Sequence, residues 1–403
     1  MYRSKTTITA IAFGLLLATA SFGQPSYTYA VIPSPADFKF TYSLAPVPQP
    51  AGDPVPVSGV RQIVYGMRWI SDDGTRGVGT GVVGDQSSQL MVCFTYQDGA
   101  YTVIPTPSVN CGVNGGSNNG DFVGALEVAG DISTHAFLYH AGGFTLFDNL
   151  LPQVFSNPDP MVRSTAAAIN ANGQVLGSTF TSQTVNSAFS GPTGSFLSYA
   201  WLYSNGQVNR IADLGGAYNG ATGLNDNGDI AGFASAPGVP PRNHATLNPS
   251  SGGVIDLGTA GGKDSMASLI NSKGQIVGTT SLPSDSPSHP LNHPFFYENG
   301  AMTVMIPGAS GGAVSLNEAG EAVGSYTLDA DPSTGHPFYY KNGQVTDLPT
   351  LVNLPDGMVL TEARQINNRG QILAMARAAS DTNNQAPITL LLTPVPAQTG
   401  SGQ

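Results

Sequence analysis

The chain has 403 residues and a formal net charge of −11, from 15 basic and 26 acidic residues. Nucleic-acid backbones are held by clustered Lys and Arg, whereas the basic residues here are scattered singly along an acidic chain. This pattern excludes a nucleic-acid partner, and it disfavours binding to anionic membrane surfaces for the same reason.

The first 23 residues have the pattern of a secretory signal peptide. Arg3 and Lys5 precede an uncharged apolar stretch from Ile8 to Ala20, and small residues follow up to Gly23. No later segment has about 20 uninterrupted apolar residues. We therefore expect a protein without a membrane span after signal cleavage, located outside the cell or in the periplasm. An uncleaved anchor is the alternative.

Two cysteines, Cys93 and Cys111, lie in what this signal predicts to be an oxidising compartment. A disulfide between them is the default interpretation. A catalytic thiol is the alternative, but it would more typically be a single Cys with a partner His.

Seven times along the chain, a small polar residue is followed three positions later by glycine and then by a short apolar run. The seven glycines are Gly74, Gly120, Gly173, Gly228, Gly274, Gly320 and Gly370. Successive differences between these residue numbers are 46, 53, 55, 46, 46 and 50. Such periods are typical of propellers and solenoids.

Each repeat contains two predicted hairpins. In the fifth repeat the predicted strands are 267–270, 275–279, 293–297 and 302–306. The first hairpin turn has Asn or Ser at its first position and Gly at its fourth, as in a type I turn closed by a left-handed residue. The second turn uses Asn-Gly or Asp-Gly, the strongest short hairpin signal. No window has a sustained helical period, so the chain is predicted to be all-β.

A second glycine recurs four residues after the first in most repeats. Glycine weakens a strand unless another backbone comes close to it. We therefore expect close approach between neighbouring sheets near a common axis at these positions. They are Gly124, Gly177, Gly232, Gly278 and Gly324, with Ala374 in the last repeat.

Seven four-stranded sheets fit a seven-bladed β-propeller, with a β-solenoid, or six or eight blades, as alternatives. The seventh repeat ends after its third strand, at 387–393. Residues 27–35 resemble the fourth strand of the first repeat at 101–107, so the amino-terminal segment is predicted to supply the missing strand and close the ring. The expected organisation is a signal peptide at 1–23, one propeller domain at 24–395 and a flexible tail at 396–403.

The repeats resemble the probable extracellular HAF-repeat proteins of bacteria, named for a His-Ala-Phe tripeptide. That tripeptide stands here as His135-Ala136-Phe137, and 270–278 and 256–258 resemble the family's other two segments. Variants of the tripeptide are Tyr199-Ala200-Trp201, His244-Ala245-Thr246, His293-Pro294-Phe295 and His336-Pro337-Phe338, with degenerate copies at 92–94 and 386–388. The resemblance implies an extracellular repeat protein, and it carries over no catalytic residue.

Four histidines, His135, His244, His293 and His336, occupy one repeat position. A ring of imidazoles holding zinc in a central channel is one hypothesis. The favoured interpretation is a structural residue of each blade, because Tyr199 and other types fill the same position in other repeats. The turn glycines, among them Gly173, Gly228, Gly274, Gly320 and Gly370, are structural positions in the same sense.

Asp329 and Asp331 lie in an acidic segment at 329–335 that has oxygen-bearing side chains at alternate positions, as calcium loops do. The glycine of this segment falls one place late, and Tyr340 stands where such a loop has a bidentate Glu. We therefore expect no cofactor, with calcium as the alternative.

Ligand binding is expected where the repeats differ, on the face formed by the loops between second and third strands and the connections between blades. The longest predicted loop is 178–198, and Asp285, Asp329 and Asp331 are the candidate binding residues on this face. The sequence favours a secreted, monomeric, non-catalytic module that binds a glycan, a peptide or another extracellular protein. The alternatives are a propeller-based carbohydrate-active lyase or hydrolase, and a structural matrix component.

Overall fold

The computed structural model describes residues 27–32, 66–84, 89–106, 108–128, 133–148, 150–151, 163–185, 195–216, 219–237, 242–285, 292–328, 331–381 and 388–395. The predicted signal peptide and the tail 396–403 lie outside these ranges. No helix in the described part of the chain has the length and apolar character needed to cross a membrane.

The described residues form seven antiparallel sheets of four strands each. In chain order the strands are β1 (Tyr27–Ile32), β2 (Met67–Ile70), β3 (Arg76–Gly84), β4 (Gln89–Gln97), β5 (Ala100–Val103), β6 (Ser108–Gly116), β7 (Phe122–Val128), β8 (Thr134–His140), β9 (Gly143–Leu146), β10 (Arg163–Ile169), β11 (Val175–Val185), β12 (Ser195–Ser204), β13 (Gln207–Arg210), β14 (Asn219–Leu224), β15 (Ile230–Ala236), β16 (Arg242–Asn248), β17 (Ile255–Asp256), β18 (Ser265–Ile270), β19 (Ile276–Thr280), β20 (His293–Glu298), β21 (Ala301–Val304), β22 (Ala309–Leu316), β23 (Ala322–Leu328), β24 (Asp331–Lys341), β25 (Gln344–Asp347), β26 (Met358–Ile366), β27 (Ile372–Ala378) and β28 (Ile388–Pro394).

The seven sheets are the blades of a seven-bladed β-propeller, as predicted. Blade 1 contains β2–β5, and blades 2 to 6 follow with β6–β9, β10–β13, β14–β17, β18–β21 and β22–β25. Blade 7 contains β26, β27 and β28, and β1 is its outermost strand. β1 pairs antiparallel with β28 from Tyr27 opposite Pro394 to Ile32 opposite Thr389. The prediction that the amino-terminal segment closes the ring is therefore confirmed.

The first turn of every repeat and the second turn of five repeats adopt the predicted backbone. In the first turn the glycine N–H donates to the carbonyl three residues earlier at 2.9–3.1 Å in all seven copies. Each of these glycines has a positive φ, for example +75° at Gly274. In blades 1, 2, 3, 5 and 6 both residues of the second turn have positive φ, as at Asn299 and Gly300, which matches a type I′ turn. The connection between β16 and β17 in blade 4 is longer, and blade 7 has β1 in place of a second hairpin.

The third repeat differs from the prediction between its second and third strands. The predicted loop at 178–198 is in part strand, because β11 continues to Val185 and β12 begins at Ser195. The pairing of these two strands shifts register between Phe180 and Thr184. Blade 3 therefore has an extended hairpin at this edge.

The second glycine of each repeat is required by contacts within its own blade, which corrects the expectation of close approach between neighbouring sheets. A Cβ at Gly278 would lie 2.1 Å from the carbonyl oxygen of Met266 in the preceding strand and 2.8 Å from the ring of Phe295 in the following strand. The same arrangement recurs at Gly124, where the ring is Phe137. The aromatic residue of the tripeptide thus packs over the glycine opposite it in the sheet.

A disulfide joins Cys93 to Cys111, with a Cα–Cα distance of 5.4 Å. Cys93 lies in β4 and Cys111 in β6, so the bond connects blade 1 to blade 2. Both side chains are buried in the apolar cluster between these blades. The predicted disulfide is confirmed, and its position shows that it links two repeats.

Candidate functional site

Each innermost strand contains a β-bulge at the same position, three residues before the first residue of the turn. At this position one residue of the first strand has no partner in the second strand. The seven bulged residues are Arg68, Asn114, Ala167, Thr222, Ser268, Val314 and Arg364, and all of them line a central channel that holds a cavity of about 430 Å³. The bulges therefore place one variable side chain from every blade on the channel wall.

The bulged side chains give the channel two chemically different sides. Asn114 and Thr222 hydrogen-bond to main-chain carbonyls of the next blade. Asn114 Nδ2 donates to Ala166 O at 2.9 Å, and Thr222 Oγ1 donates to Ala267 O at 2.9 Å. Arg364 and Arg68 come from blades 7 and 1, which are neighbours in the closed ring. This side of the wall is therefore basic.

A belt of hydrogen bonds joins the first turns of neighbouring blades around one end of the channel. The Nδ2 group of the turn asparagine donates to the main-chain carbonyl of the equivalent residue in the next blade at 2.9–3.1 Å. The asparagines are Asn170, Asn225, Asn271, Asn317 and Asn367, and Asn367 closes the ring onto Ser71. Sequence reasoning identified these residues only as turn formers. Their recurrence in five repeats was the available signal of a second role.

The second residue of the turn makes the same end of the channel acidic. Asp72, Asp226 and Glu318 line the cavity at this mouth. Each carboxylate accepts a hydrogen bond from the main-chain N–H of the neighbouring turn, as from Asn368 N to Asp72 Oδ1 at 2.9 Å. These acids therefore bridge blades as well as giving the mouth its charge.

A carboxylate outside the channel connects blade 6 to the closing strand. Glu321 accepts hydrogen bonds from Tyr339 Oη at 2.8 Å, from Lys341 Nζ at 2.8 Å and from Asn317 Nδ2 at 2.9 Å. The ring of Tyr27 in β1 packs edge-on against Tyr339, with centroids 6.1 Å apart. Burial alone would raise the pKa of Glu321, but these three hydrogen bonds and the charge of Lys341 hold it below its usual value.

The lowered pKa of Glu321 predicts a loss of stability in acid. Its contribution is fully present above the usual value of 4.5 and is lost as pH falls through the lower pKa of the folded state. We expect the free energy of unfolding to fall more steeply below pH 4.5 in the native protein than in Glu321→Gln. Denaturant unfolding of both proteins across this range measures the difference. Parallel pH profiles would contradict the assignment.

The four histidines of the repeat position lie in the third strands of four blades, and they contact their own blade. His135 Nδ1 lies 2.9 Å from Asp148 Oδ2, and His244 Nδ1 lies 2.8 Å from Asp256 Oδ2. The ring of His336 stacks on the ring of Tyr326. In the part of the chain that the structure describes, no group of three or more His, Cys, Asp or Glu side chains is arranged to hold a metal ion.

The candidate binding residue Asp285 is not available on the loop surface. Its Oδ1 atom lies 3.1 Å from His293 Nε2, and its Oδ2 atom accepts a hydrogen bond from Leu282 N at 2.6 Å. The two side chains are 7% and 2% exposed, so this pair fixes the loop to β20. Asp329 lies outside the described residues. Asp331 is the first residue of β24, and its side chain is not described.

A groove crosses the boundary of blades 5 and 6 on the face where loops join second and third strands. It has a volume of about 460 Å³, and its lining is rich in hydroxyl, amide and glycine groups together with one aromatic ring. Its lining includes Thr279, Asn292, Ser310, Gly311, Ser325 and Tyr326.

A glycine and an aromatic residue stand side by side in the wall of this groove. Gly311 pairs with Tyr326, and Tyr326 pairs with His336. The Tyr326 ring stacks on His336, with centroids 5.1 Å apart and an angle of 19° between the planes. Gly311 lies on the other side of Tyr326 in the sheet and allows close backbone packing, since a Cβ there would lie 2.3 Å from Ser325 O and 2.8 Å from Tyr326 Cβ. Sequence reasoning missed this tyrosine because only the pairing of strands places it beside Gly311.

The hydroxyl group of Tyr326 is held by a hydrogen bond within its own blade. It donates to Asp347 Oδ1 at 2.6 Å. Burial, together with this carboxylate, raises the pKa of Tyr326 to about 12. The phenol therefore stays protonated near neutral pH, and its bond to Asp347 fixes the orientation of the ring.

No protein-family model and no curated protein matches this sequence. The chain is similar in fold to the β-propeller domain of the trilobed protease from Pyrococcus furiosus, with a TM-score of 0.53 and 6% identity over 82% of this chain and 97% of that one. It is also similar to an acylaminoacyl peptidase in complex with a chloromethyl ketone, with a TM-score of 0.52 and 10% identity over 82% of this chain. The chain spans 51% of that peptidase. At such identities the similarity shows the fold alone.

Proposed function

We propose that the protein is a secreted, non-catalytic binding module of the HAF-repeat type, and that it binds glycans in the groove between blades 5 and 6. The observation that carries this proposal is the Tyr326 ring, which is oriented by His336 and Asp347 and lines the groove beside Gly311. An ordered aromatic ring supplies apolar contact area to the C–H face of a sugar at little entropic cost.

The rest of the groove suits the hydroxyl groups of the same ligand. Thr279, Asn292, Ser310 and Ser325 line it with short polar groups on either side of the aromatic ring. Binding pockets combine an apolar surface with a few polar groups that set orientation. Thr279, Ser310 and Ser325 lie on strands and Asn292 directly precedes β20, which favours a site formed before the ligand arrives.

The test is a glycan array with the purified protein, followed by titration of the best ligand into Tyr326→Ala and Tyr326→Phe. We expect Tyr326→Ala to weaken binding at least about tenfold, because it removes the apolar platform. Tyr326→Phe keeps the ring and its stacking on His336 but loses the bond to Asp347, so as the comparison variant it should lose less binding than Tyr326→Ala. Melting curves verify that both variants are folded.

The same glycans are assayed for cleavage products, with calcium and with a chelator. Saturable binding without products supports the proposal. Release of products would show a carbohydrate-active enzyme instead. Chelator-sensitive binding would assign a calcium role to the acidic segment at 329–335. Absence of glycan binding, or equal binding by Tyr326→Ala, would contradict the proposal and favour a protein partner or a matrix role.

A further inference from the structure

We propose that the central channel binds a small anionic group, a carboxylate or a phosphate, between Arg68 and Arg364. This site is separate from the groove of blades 5 and 6, and it does not depend on the function proposed there. The anion enters from the end of the channel at which the innermost strands begin, opposite the acidic mouth.

The two arginines occupy the same bulge position in adjacent blades, and the boundary between these blades is held rigidly. Gln365 Oε1 accepts a hydrogen bond from Ile70 N at 2.7 Å, and Gln365 Nε2 donates to Ile70 O at 3.1 Å. The guanidinium of Arg364 reaches across this boundary. Its Nη1 atom lies 3.0 Å from the position that a Cβ would take at Gly66, two residues before Arg68.

The hydrogen-bonding capacity of the two guanidinium groups is largely unused. Arg364 Nε donates to Glu362 Oε2 at 2.9 Å. Among the residues that the structure describes, the exposed Arg68 side chain has no hydrogen-bond or ion-pair partner. Each guanidinium offers five N–H donors in a planar arrangement that matches carboxylate and phosphate oxygens. Arg68 and Arg364 carry two positive charges and have one carboxylate partner, Glu362, so this side of the channel wall keeps a net positive charge.

The acidic mouth sets the direction of entry. Asp72, Asp226 and Glu318 surround the end of the channel at the first turns, and their carboxylates would repel an approaching anion. The opposite end has no comparable ring among the described channel-lining residues. The cavity of about 430 Å³ is at the small end of the range of ligand sites, so the ligand is a small anion or the charged end of a larger molecule.

Trp69 lines the same cavity and provides a direct reporter of anions in the channel. The second tryptophan, Trp201, is fully buried in blade 3 and is shielded from quenchers. Quenching of tryptophan fluorescence is measured with iodide, with caesium and with neutral acrylamide. The net charge of −11 by itself favours caesium over iodide. We expect the reverse order, with iodide quenching more strongly than caesium.

Arg68→Gln should lower the iodide quenching constant at least about threefold and leave acrylamide quenching unchanged. Because Arg68 has no described partner, this variant keeps the fold. Arg369→Gln, which removes an exposed charge from the turn of blade 7, is the matched control and should behave like the native protein. Equal quenching by iodide and caesium, or an equal loss in Arg369→Gln, would overturn the proposal.

Calorimetric titration distinguishes a phosphate from a carboxylate as the bound anion. Inorganic phosphate and glucuronate are compared with glucose, which matches glucuronate without its charge. Saturable binding of either anion that weakens in Arg68→Gln supports the site, and the anion that binds identifies its class. Binding of neither anion, or binding that Arg68→Gln leaves unchanged, would overturn the proposal.

Discussion

Asn271→Ala is expected to lower the free energy of unfolding by about 3 kcal/mol, because one buried side chain makes four hydrogen bonds that alanine cannot make. Its Nδ2 group donates to Asn317 O at 3.0 Å in the next blade and to Gln275 Oε1 at 2.6 Å. Its Oδ1 atom accepts from the N–H groups of Lys273 and Gln275 at 3.1 Å. The Asn271 side chain is itself buried.

Denaturant unfolding measures this loss. Asn227→Ala is the matched control, because Asn227 is exposed and makes one hydrogen bond across a blade boundary, to Ser272 O at 2.8 Å. We expect the control to change stability by about 0.5 kcal/mol or less. Equal effects of the two substitutions would contradict the stabilising role assigned to the buried asparagine.

Removing the closing strand is expected to destabilise the whole ring. A chain that begins at Pro33 lacks β1, so β28 loses a partner along its full length and the buried side chains of Tyr27 and Ile32 are lost. Deleting a buried aromatic and a buried aliphatic side chain costs about 5 kcal/mol or more together. This is of the order of the whole stability of many domains, so we expect the shortened chain to be largely unfolded.

The control is a chain that begins at Tyr27 and so lacks the same preceding segment but keeps β1. Circular dichroism and denaturant unfolding compare the two. A point substitution separates packing from chain length, since Tyr27→Ala should destabilise strongly and Val31→Ala, at a position 50% exposed, should not. Unfolding of both chains at the same denaturant concentration would contradict closure by β1.

Sequence reasoning succeeded where the determinants are local and repeated. The turn from Asn271 to Gly274 and the turn at Asn299 and Gly300 have positive φ where glycine or asparagine stands, and the residues themselves require it. The count of seven blades followed from the glycine period. The position of β1 followed from a strand missing in the last repeat and a matching segment near the amino terminus.

Sequence reasoning was incomplete where a contact depends on the tertiary structure. Asp285 was expected on a binding surface, but the fold buries it against His293, and a separation of eight residues does not reveal that contact. Arg68 and Arg364 are far apart in sequence and adjacent in the closed ring. Aligning the position three residues before each turn would have found them as the two basic members of a variable set.

Strand order, the turns, the disulfide and ring closure follow from the sequence alone, because each depends on backbone preferences within a repeat or on a simple count. The channel wall, the asparagine belt and the groove beside Tyr326 follow only from the tertiary structure. A bulge, a hydrogen bond to the next blade and the residues that line a groove all depend on how strands pair and how blades pack. Such contacts join residues whose separation along the chain carries no signal.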